Sequence, residues 1–193
     1  YKAQDSVFAT KRAVAVSLVE NDSLYLHGDK LMITGKPEKR VLRAFKNAKF
    51  YKTDLSGKAD SINVNQETGL TKLIGRKIPA STEEIDLPKF YPIIWNGENQ
   101  MTGDSIHLIS NVETEKLDSL KVLDHAFIVS LDTVGKVGYN QAKGINLFGK
   151  FIENELKEVD LISNTEVIYW MYNDDQELIG INKTKCSKIN ITF

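Results

Sequence analysis

The sequence has few of the features that mark several common protein classes. Its 193 residues include one cysteine, Cys186, so an internal disulfide is excluded. It has no apolar run of about 18 residues, the length that a membrane-spanning helix requires. Lysine and arginine number 25 against 26 acidic residues, for a formal net charge of −1. This balance offers no basic surface of the kind that nucleic-acid binding needs, and we expect no nucleic-acid partner.

Motifs for catalysis and cofactor binding are also missing. The chain contains no phosphate-binding loop, no G-x-G-x-x-G fingerprint and no G-x-S-x-G elbow. Its three histidines, His27, His107 and His125, form no zinc-binding arrangement. We therefore expect no enzyme, no cofactor and no metal. A pair of carboxylates acting as in a glycosidase stays open, because nothing distinguishes one pair among the 26 acids.

The chain does contain a strong period of two. In "ADSINVN", Ile62 and Val64 fall on one face, and in "KINITF", Ile189 and Ile191 do the same. Asn, Asp and Gly lie between such runs, and these residues favour tight turns. Alternation of this kind predicts half-buried strands, and many short strands with turns between them predict an all-β fold.

One strand pattern recurs five times: a small residue, two mostly polar residues, then two aliphatic residues that flank a third. The copies open at Gly28, Ala59, Gly103, Ala142 and Cys186, so we interpret Cys186 as a packing residue rather than a nucleophile. Alternation sends both aliphatic residues of a copy to one face. We predict that these pairs line a common apolar trough: Leu31 and Ile33, Ile62 and Val64, Ile106 and Leu108, Ile145 and Leu147, Ile189 and Ile191.

A second element of the repeat is a polar corner between two strands. It occurs at Lys46–Asn47, Asp124–His125 and Ser163–Asn164. Recurrence of this kind along a chain is typical of stacked units that bury their apolar faces only against one another. The sequence thus predicts an elongated, antiparallel β structure built from stacked, irregular strand repeats.

Two segments are less regular. Residues 115–125 carry leucines at a spacing of three, which suits a helix, but the repeat favours a strand. Residues 78–92 hold three of the four prolines and predict a loop insertion, with at most one helical turn at Ser81–Ile85. We expect a single domain over residues 1–193. Its abrupt start and end lead us to expect a segment of a longer protein, with any signal peptide outside it.

Two interpretations are possible for several other residues. Asp29, Asp60 and Asp104 recur at one position of the repeat and suit either a calcium-binding row or solvent-facing corners, and we favour the corners. Trp95 and Trp170 suit either sugar stacking or packing, and we favour packing.

Several of these segments resemble the organic-solvent-tolerance (OstA-like) family of periplasmic lipopolysaccharide-transport proteins. They are "DSLYLHGDKLMI", "RAFKNAKFYKTDLSGKADSINV", "LDHAFIVSLD" and "YNQAKGINLF". The closest copy runs from Asn47 to Asp60. The resemblance extends from about Ser23 to the end, and the proline-rich insertion at 78–92 departs from it.

The resemblance implies a β-jelly-roll of the β-taco type, a folded-over stack of strands in which the predicted trough binds acyl chains. It implies a non-catalytic module that binds lipopolysaccharide or another acylated glycolipid for outer-membrane assembly. It also implies end-to-end strand pairing with other jelly-roll proteins, and a periplasmic location peripheral to the outer membrane. The alternative is a carbohydrate-binding or adhesive β-solenoid, or a scaffold, in which the same aliphatic pairs fill a dry core.

Overall fold

The computed structural model describes residues 5–19, 22–37, 39–76, 90–114, 116–136 and 138–193. In these ranges the chain forms antiparallel strands and no helix, which confirms the all-β prediction. The fourteen strands found there are β1 Ser6–Val19, β2 Asp22–Thr34, β3 Val41–Lys52, β4 Leu55–Asn65, β5 Leu70–Ile74, β6 Ile93–Asn96, β7 Asn99–Thr102, β8 Ser105–Ser110, β9 Leu117–Leu123, β10 Ala126–Leu131, β11 Tyr139–Gly144, β12 Asn146–Ile152, β13 Glu155–Tyr172 and β14 Leu178–Thr192.

The strands form two layers that are joined along a line of corners. The long strands β1, β2, β3 and β13 each change register midway, and their two halves belong to different layers. One half of β4 pairs with β5 and the other half pairs with β6. The first layer contains β5, β8, β9 and β12, and the second contains β6, β7, β10 and β11. Because β4 and β13 each contribute to both layers, the pairings between them close a ring.

The three predicted corners are confirmed by their backbone conformation. Both residues of Lys46–Asn47, Asp124–His125 and Ser163–Asn164 have φ between 52° and 65°. A fourth pair, Lys11–Arg12, adopts the same conformation in β1. Two successive left-handed residues turn the chain sharply, and polar residues such as Asn and Asp tolerate this region better than most. The corners therefore set where each strand passes from one layer to the other.

The segment 115–125 contains a strand, β9, as the repeat predicted. Its leucine spacing of three has a local cause. Leu117 pairs with Ser110 and Ser119 pairs with Ile109, so Asp118 forms a bulge between them. A bulge adds one residue to one strand and shifts the alternation of faces. Leu117 and Leu120 are consequently both buried, although they lie an odd number of residues apart.

The inward-facing residues of the fourth copy of the strand repeat begin two residues later than predicted. We predicted that Ile145 and Leu147 share the inner face, but Ile145 is 39% exposed whereas Leu147 is fully buried. The Ile145 amide donates to the carbonyls of Ile162 and Ser163, as the Asp104 amide does to those of Leu123 and Asp124. Ile145 thus occupies the corner position of Asp104. The inward-facing residues that follow it are Leu147 and Gly149.

The proline-rich insertion lies largely outside the described residues, including the predicted turn at Ser81–Ile85. Its last residues, Phe90 to Pro92, precede β6 without strand structure, and the Phe90 carbonyl accepts a hydrogen bond from the Arg76 amide at 3.1 Å. Within the described ranges, the chain has no helix of the length and apolarity needed to cross a membrane.

Candidate functional site: two cavities between the layers

The middle of the space between the layers is filled by large aliphatic side chains. Residues from both layers contribute to one cluster and are fully buried there, among them Leu73, Ile94, Met101, Ile106 and Val122. Interiors packed in this way leave few voids larger than a water molecule. Among the described residues, this filled section leaves no room for a ligand, and open space lies beside it.

One cavity of about 580 Å³ lies toward the C-terminal end and is called the C-terminal cavity. Its second-layer wall comes from β10, β11 and β13, and its first-layer wall comes from the end of β14. The apolar lining includes Ile128, Ala142, Val167, Ile189, Ile191 and Phe193. The end of β14 covers the cavity incompletely, because within the described chain β14 pairs only with β13.

A second cavity of about 470 Å³ lies toward the N-terminal end and is called the N-terminal cavity. Its second-layer wall comes from β1 to β4, and its first-layer wall comes mainly from β4, β5 and β8. The apolar lining includes Leu24, Phe50, Leu55, Val64, Leu108 and Leu117. Both cavities fall within the range of roughly 300–1,000 Å³ that is typical of sites for small molecules.

A hydrogen-bonded contact joins the layers on the side opposite the corners. Asn96 is buried in the hairpin between β6 and β7, and its Nδ2 donates to the carbonyls of Asp54 at 2.9 Å and Asn154 at 3.2 Å. The Asn154 Oδ1 in turn accepts the Leu117 amide at 2.8 Å. Asp54 belongs to a second-layer turn and Asn154 to a first-layer turn, so Asn96 holds the two layers together between the cavities.

The ten predicted trough residues fall into four groups. Val64 and Leu108 line the N-terminal cavity, and Ile189 and Ile191 line the C-terminal cavity. Leu31, Ile62, Ile106 and Leu147 are buried in the packed cluster, and Ile33 packs against it. Ile145 lies at a corner and faces solvent. The structure thus places four of the ten against open space between the layers.

The two cavities differ in the charged and polar groups around them. Arg40 and Lys52 line the N-terminal cavity, and no acidic residue does so in the described chain. The C-terminal cavity is lined by the acid Glu98, with no described lysine or arginine. Its remaining polar lining includes Asn99, Ser130 and Asn140. The N-terminal cavity is therefore more favourable to an anion than the C-terminal cavity is.

The recurring acids pair with neighbouring side chains at the corners. Asp29 accepts a hydrogen bond from Asn47 at 3.3 Å, Asp60 pairs with Arg76 at 3.1 Å, and Asp104 lies 3.0 Å from a ring nitrogen of His125. In the part of the chain that the structure describes, no three His, Cys, Asp or Glu side chains come together as a metal site would require. These contacts support the corner interpretation of the three acids.

The two tryptophans and the cysteine also have structural neighbours. The Trp95 indole donates to Gln100 at 2.9 Å, and the Trp170 indole donates to the Tyr139 carbonyl at 3.3 Å. Cys186 is exposed, contrary to a packing role, and its Sγ lies 3.3 Å from the Thr165 hydroxyl. Its exposure follows from its place in β14, which lacks a neighbour on one side among the described strands.

The outer face of the second layer carries a cluster of charge beside the C-terminal cavity. The Glu166 carboxylate pairs with Lys183 at 2.6 Å, with Lys143 at 3.3 Å and with Lys185 at 3.7 Å. Hydrogen bonds from Lys183 and Lys143 outweigh a smaller opposing effect of burial, and they lower the pKa of Glu166 to about 2. This cluster ties β14 to β13 and β11.

Sequence reasoning missed most of the second-layer lining, including Val167 and Tyr169, and it missed the Asn96 contact. It followed only the aliphatic pairs of one repeated strand, although other strands on both sides of the corners face the same space. Asn96-Gly97 is a strong hairpin signal, but nothing local to it indicates a bond to a residue 58 positions away. No protein family of known sequence pattern matches the chain, and no curated protein matches it.

Proposed function

We propose that the chain is a non-catalytic lipid-binding module, and that its folded two-layer sheet is a β-jelly-roll of the β-taco type. The observation that carries this proposal is the pair of apolar cavities between the layers, one on each side of the filled middle. Each cavity accepts one acyl chain in a groove that opens to solvent. The protein then holds two lipid tails, one in each cavity, rather than a continuous row of tails.

The energetics of burial support acyl binding without a specific polar contact. Each methylene removed from water contributes about 0.8 kcal/mol, so a chain of about twelve carbons offers on the order of 9 kcal/mol before ordering costs. Immobilising the acyl chain costs a few kcal/mol, which leaves an affinity in the micromolar range. The N-terminal cavity adds Arg40 and Lys52, which attract an anionic head group.

The proposed ligand is lipopolysaccharide or another acylated glycolipid, and the proposed location is the periplasm beside the outer membrane. Partner binding by strand pairing fits the exposed strands at the two ends. Within the described chain, β1 pairs only with β2, and β14 pairs only with β13. Unpaired strand edges of this length are sites for adding a further strand. End-to-end assembly with other jelly-roll proteins would use these two edges.

The competing function is a scaffold or a carbohydrate-binding solenoid with a dry core. The fully buried middle, with Ile62, Ile106 and Leu147, favours that reading for the centre of the molecule. The cavities favour lipid binding over a scaffold, because a scaffold has no use for open apolar space at both ends. Direct binding measurements therefore separate the hypotheses.

The experiment is displacement of a fluorescent fatty-acyl probe by lipopolysaccharide, with cavity-filling variants. Thr71→Trp fills the N-terminal cavity and Ile189→Trp fills the C-terminal cavity. We expect two probe molecules per wild-type chain, one in each single variant and none in the double variant. Lipopolysaccharide should displace the probe from the wild-type chain.

Each filling variant has a control one position away on the outer face. Lys72→Trp and Lys188→Trp add the same side chain outside the cavities and should bind two probes. Circular dichroism establishes that all variants keep the β fold. A wild-type chain that binds no acyl probe contradicts the proposal and favours the scaffold. Equal binding by the filling variants and their controls contradicts the cavities as the sites.

A further inference from the structure

One buried side-chain oxygen beside the C-terminal cavity, that of Asn99, has no partner in the described part of the chain. Among the residues that the structure describes, the Oδ1 of Asn99 is a buried side-chain oxygen without a hydrogen bond. Native structures satisfy the large majority of such atoms, and an unsatisfied one is costly. Asn99 also lines the C-terminal cavity. A bound molecule that donates a hydrogen bond there would remove this cost.

Strand register places Asn99 in a polar row on the inner face. Asn99 lies opposite Ser130, and Ser130 lies opposite Asn140, so the row crosses β7, β10 and β11. The next inward-facing row, two residues closer to the corners, is apolar and consists of Met101, Ile128 and Ala142. Two residues of a strand span about 6–7 Å. The cavity wall therefore passes from apolar to polar within the length of a short alkyl segment.

The charge at the cavity limits which polar groups of a ligand fit beside this row. Glu98 is an acid at the cavity, and no described lysine or arginine lines it. A carboxylate or phosphate here would meet a like charge without a cation to balance it. The Asn99 Oδ1 is an acceptor and needs a donor. A neutral group with an O–H or N–H satisfies both conditions.

We propose that the C-terminal cavity is a distinct site for a neutral amphiphile, a long alkyl or acyl chain whose hydroxyl donates a hydrogen bond to the Asn99 Oδ1. The alkyl part lies along the apolar row, and the hydroxyl lies at the polar row. This inference rests on the proposed function, because it assumes that the cavity accepts acyl chains. It goes further by assigning the two cavities different ligands, anionic at the N-terminal cavity and neutral at the C-terminal cavity.

The test compares 1-decanol with its methyl ether, which has the same chain but no donor. In the Thr71→Trp background, where only the C-terminal cavity is open, both compounds compete with the fluorescent acyl probe. We expect the alcohol to bind about tenfold more tightly than the ether. Adding Asn99→Leu removes the acceptor at similar size, and it should abolish this preference.

A matched variant and a stability measurement guard against a purely structural effect. Ser110→Ala removes a hydroxyl at the N-terminal cavity and should leave the preference for the alcohol intact. Asn99→Leu should melt at or above the parent temperature, because it removes an unsatisfied buried oxygen. Equal binding of alcohol and ether by the parent overturns the inference, even if Asn99→Leu fails to fold, and leaves the proposed function standing. Failure of every acyl probe to bind the wild-type chain ends the proposed function itself.

Discussion

The side-chain amide of Asn96 donates a hydrogen bond to the backbone carbonyl of Asn154 at 3.2 Å, across the side of the fold opposite the corners. Asn96 is 6% exposed, so loss of its side chain leaves a gap as well as unpaired carbonyls. We predict that Asn96→Ala lowers the free energy of unfolding by about 1–3 kcal/mol. Urea denaturation measures this loss. Amide exchange at Leu117, which donates to Asn154, should also become faster.

Asn190→Ala is the control for that prediction. Asn190 also donates to two groups, the carboxylates of Glu158 at 2.7 Å and Asp160 at 3.2 Å, but it is exposed. Exposed polar contacts contribute little, so this variant should stay within about 0.5 kcal/mol of wild type. A similar loss in both variants would mean that burial of Asn96 between the layers is not what stabilises the contact.

The faces of β8 give a second prediction. Ile106 is fully buried, whereas His107 points outward between Lys72 and Lys121 on the neighbouring strands. Ile106→Asp should cost about 3–5 kcal/mol, because it buries an unpaired charge. His107→Asp should stay within about 0.5 kcal/mol of wild type or be slightly stabilising, because the new carboxylate faces two lysines.

The two lysines beside His107 also act on its pKa. Burial, followed by the charges of Lys72 and Lys121, lowers the pKa of His107 below its ordinary value. The lysines are therefore close enough to act on a charge at position 107. Thermal melting of the two aspartate variants is the measurement. Similar melting temperatures for Ile106→Asp and His107→Asp would contradict the assignment.

A third prediction tests the corrected phase of the fourth repeat. Leu147→Ala should cost about 2–5 kcal/mol, as is usual for a large aliphatic residue removed from a core. Ile145→Ala, one pair earlier in the same repeat, should cost clearly less, because that side chain is partly exposed at a corner. Chemical denaturation of both variants gives the comparison. Equal losses would restore the original assignment, in which both residues share the inner face.

The local parts of the fold could be predicted from the sequence. The position at which the fourth repeat copy begins shows where such prediction fails. Corners such as Lys46–Asn47 depend on residues that tolerate the left-handed region, and alternation around Ile106 depends on neighbours in one strand. Both kinds of signal are short-range. In the fourth copy, Ala142 and Gly144 are both small, so the pattern fits two phases. The hydrogen bonds of the Ile145 amide to a distant strand decide between them.

The candidate site was harder to predict, because it depends on which strands lie opposite one another. Ile189 occupies the same repeat position as Ile62 and Ile106, yet Ile189 lines a cavity whereas the other two are in the filled middle. The difference lies in what faces each residue across the layers. That pairing is set by the order of fourteen strands, and no pattern within one strand encodes it.

The last prediction concerns pH and the Glu166 cluster that ties β14 to its neighbours. The pKa of Glu166 is about 2 in the folded chain, below its ordinary value of 4.5. A carboxyl with a lowered folded-state pKa contributes stability that is fully present above the unfolded value and is lost as pH falls through the folded one. The difference in unfolding free energy between wild type and Glu166→Gln should therefore be constant above about pH 5 and shrink between pH 4.5 and pH 2.

The lysines around Glu166 provide the internal control, because they stand at different distances. Lys183 lies at 2.6 Å and gives the largest effect on the pKa, whereas Lys185 lies at 3.7 Å. Lys183→Met should raise the pKa of Glu166 more than Lys185→Met does, as followed by NMR titration of the side-chain carboxyl. Added salt should reduce the stability difference between wild type and Glu166→Gln at neutral pH, because the lysines are exposed and screened. A titration of Glu166 near its ordinary value, or equal effects of the two lysine variants, would contradict the cluster as the cause.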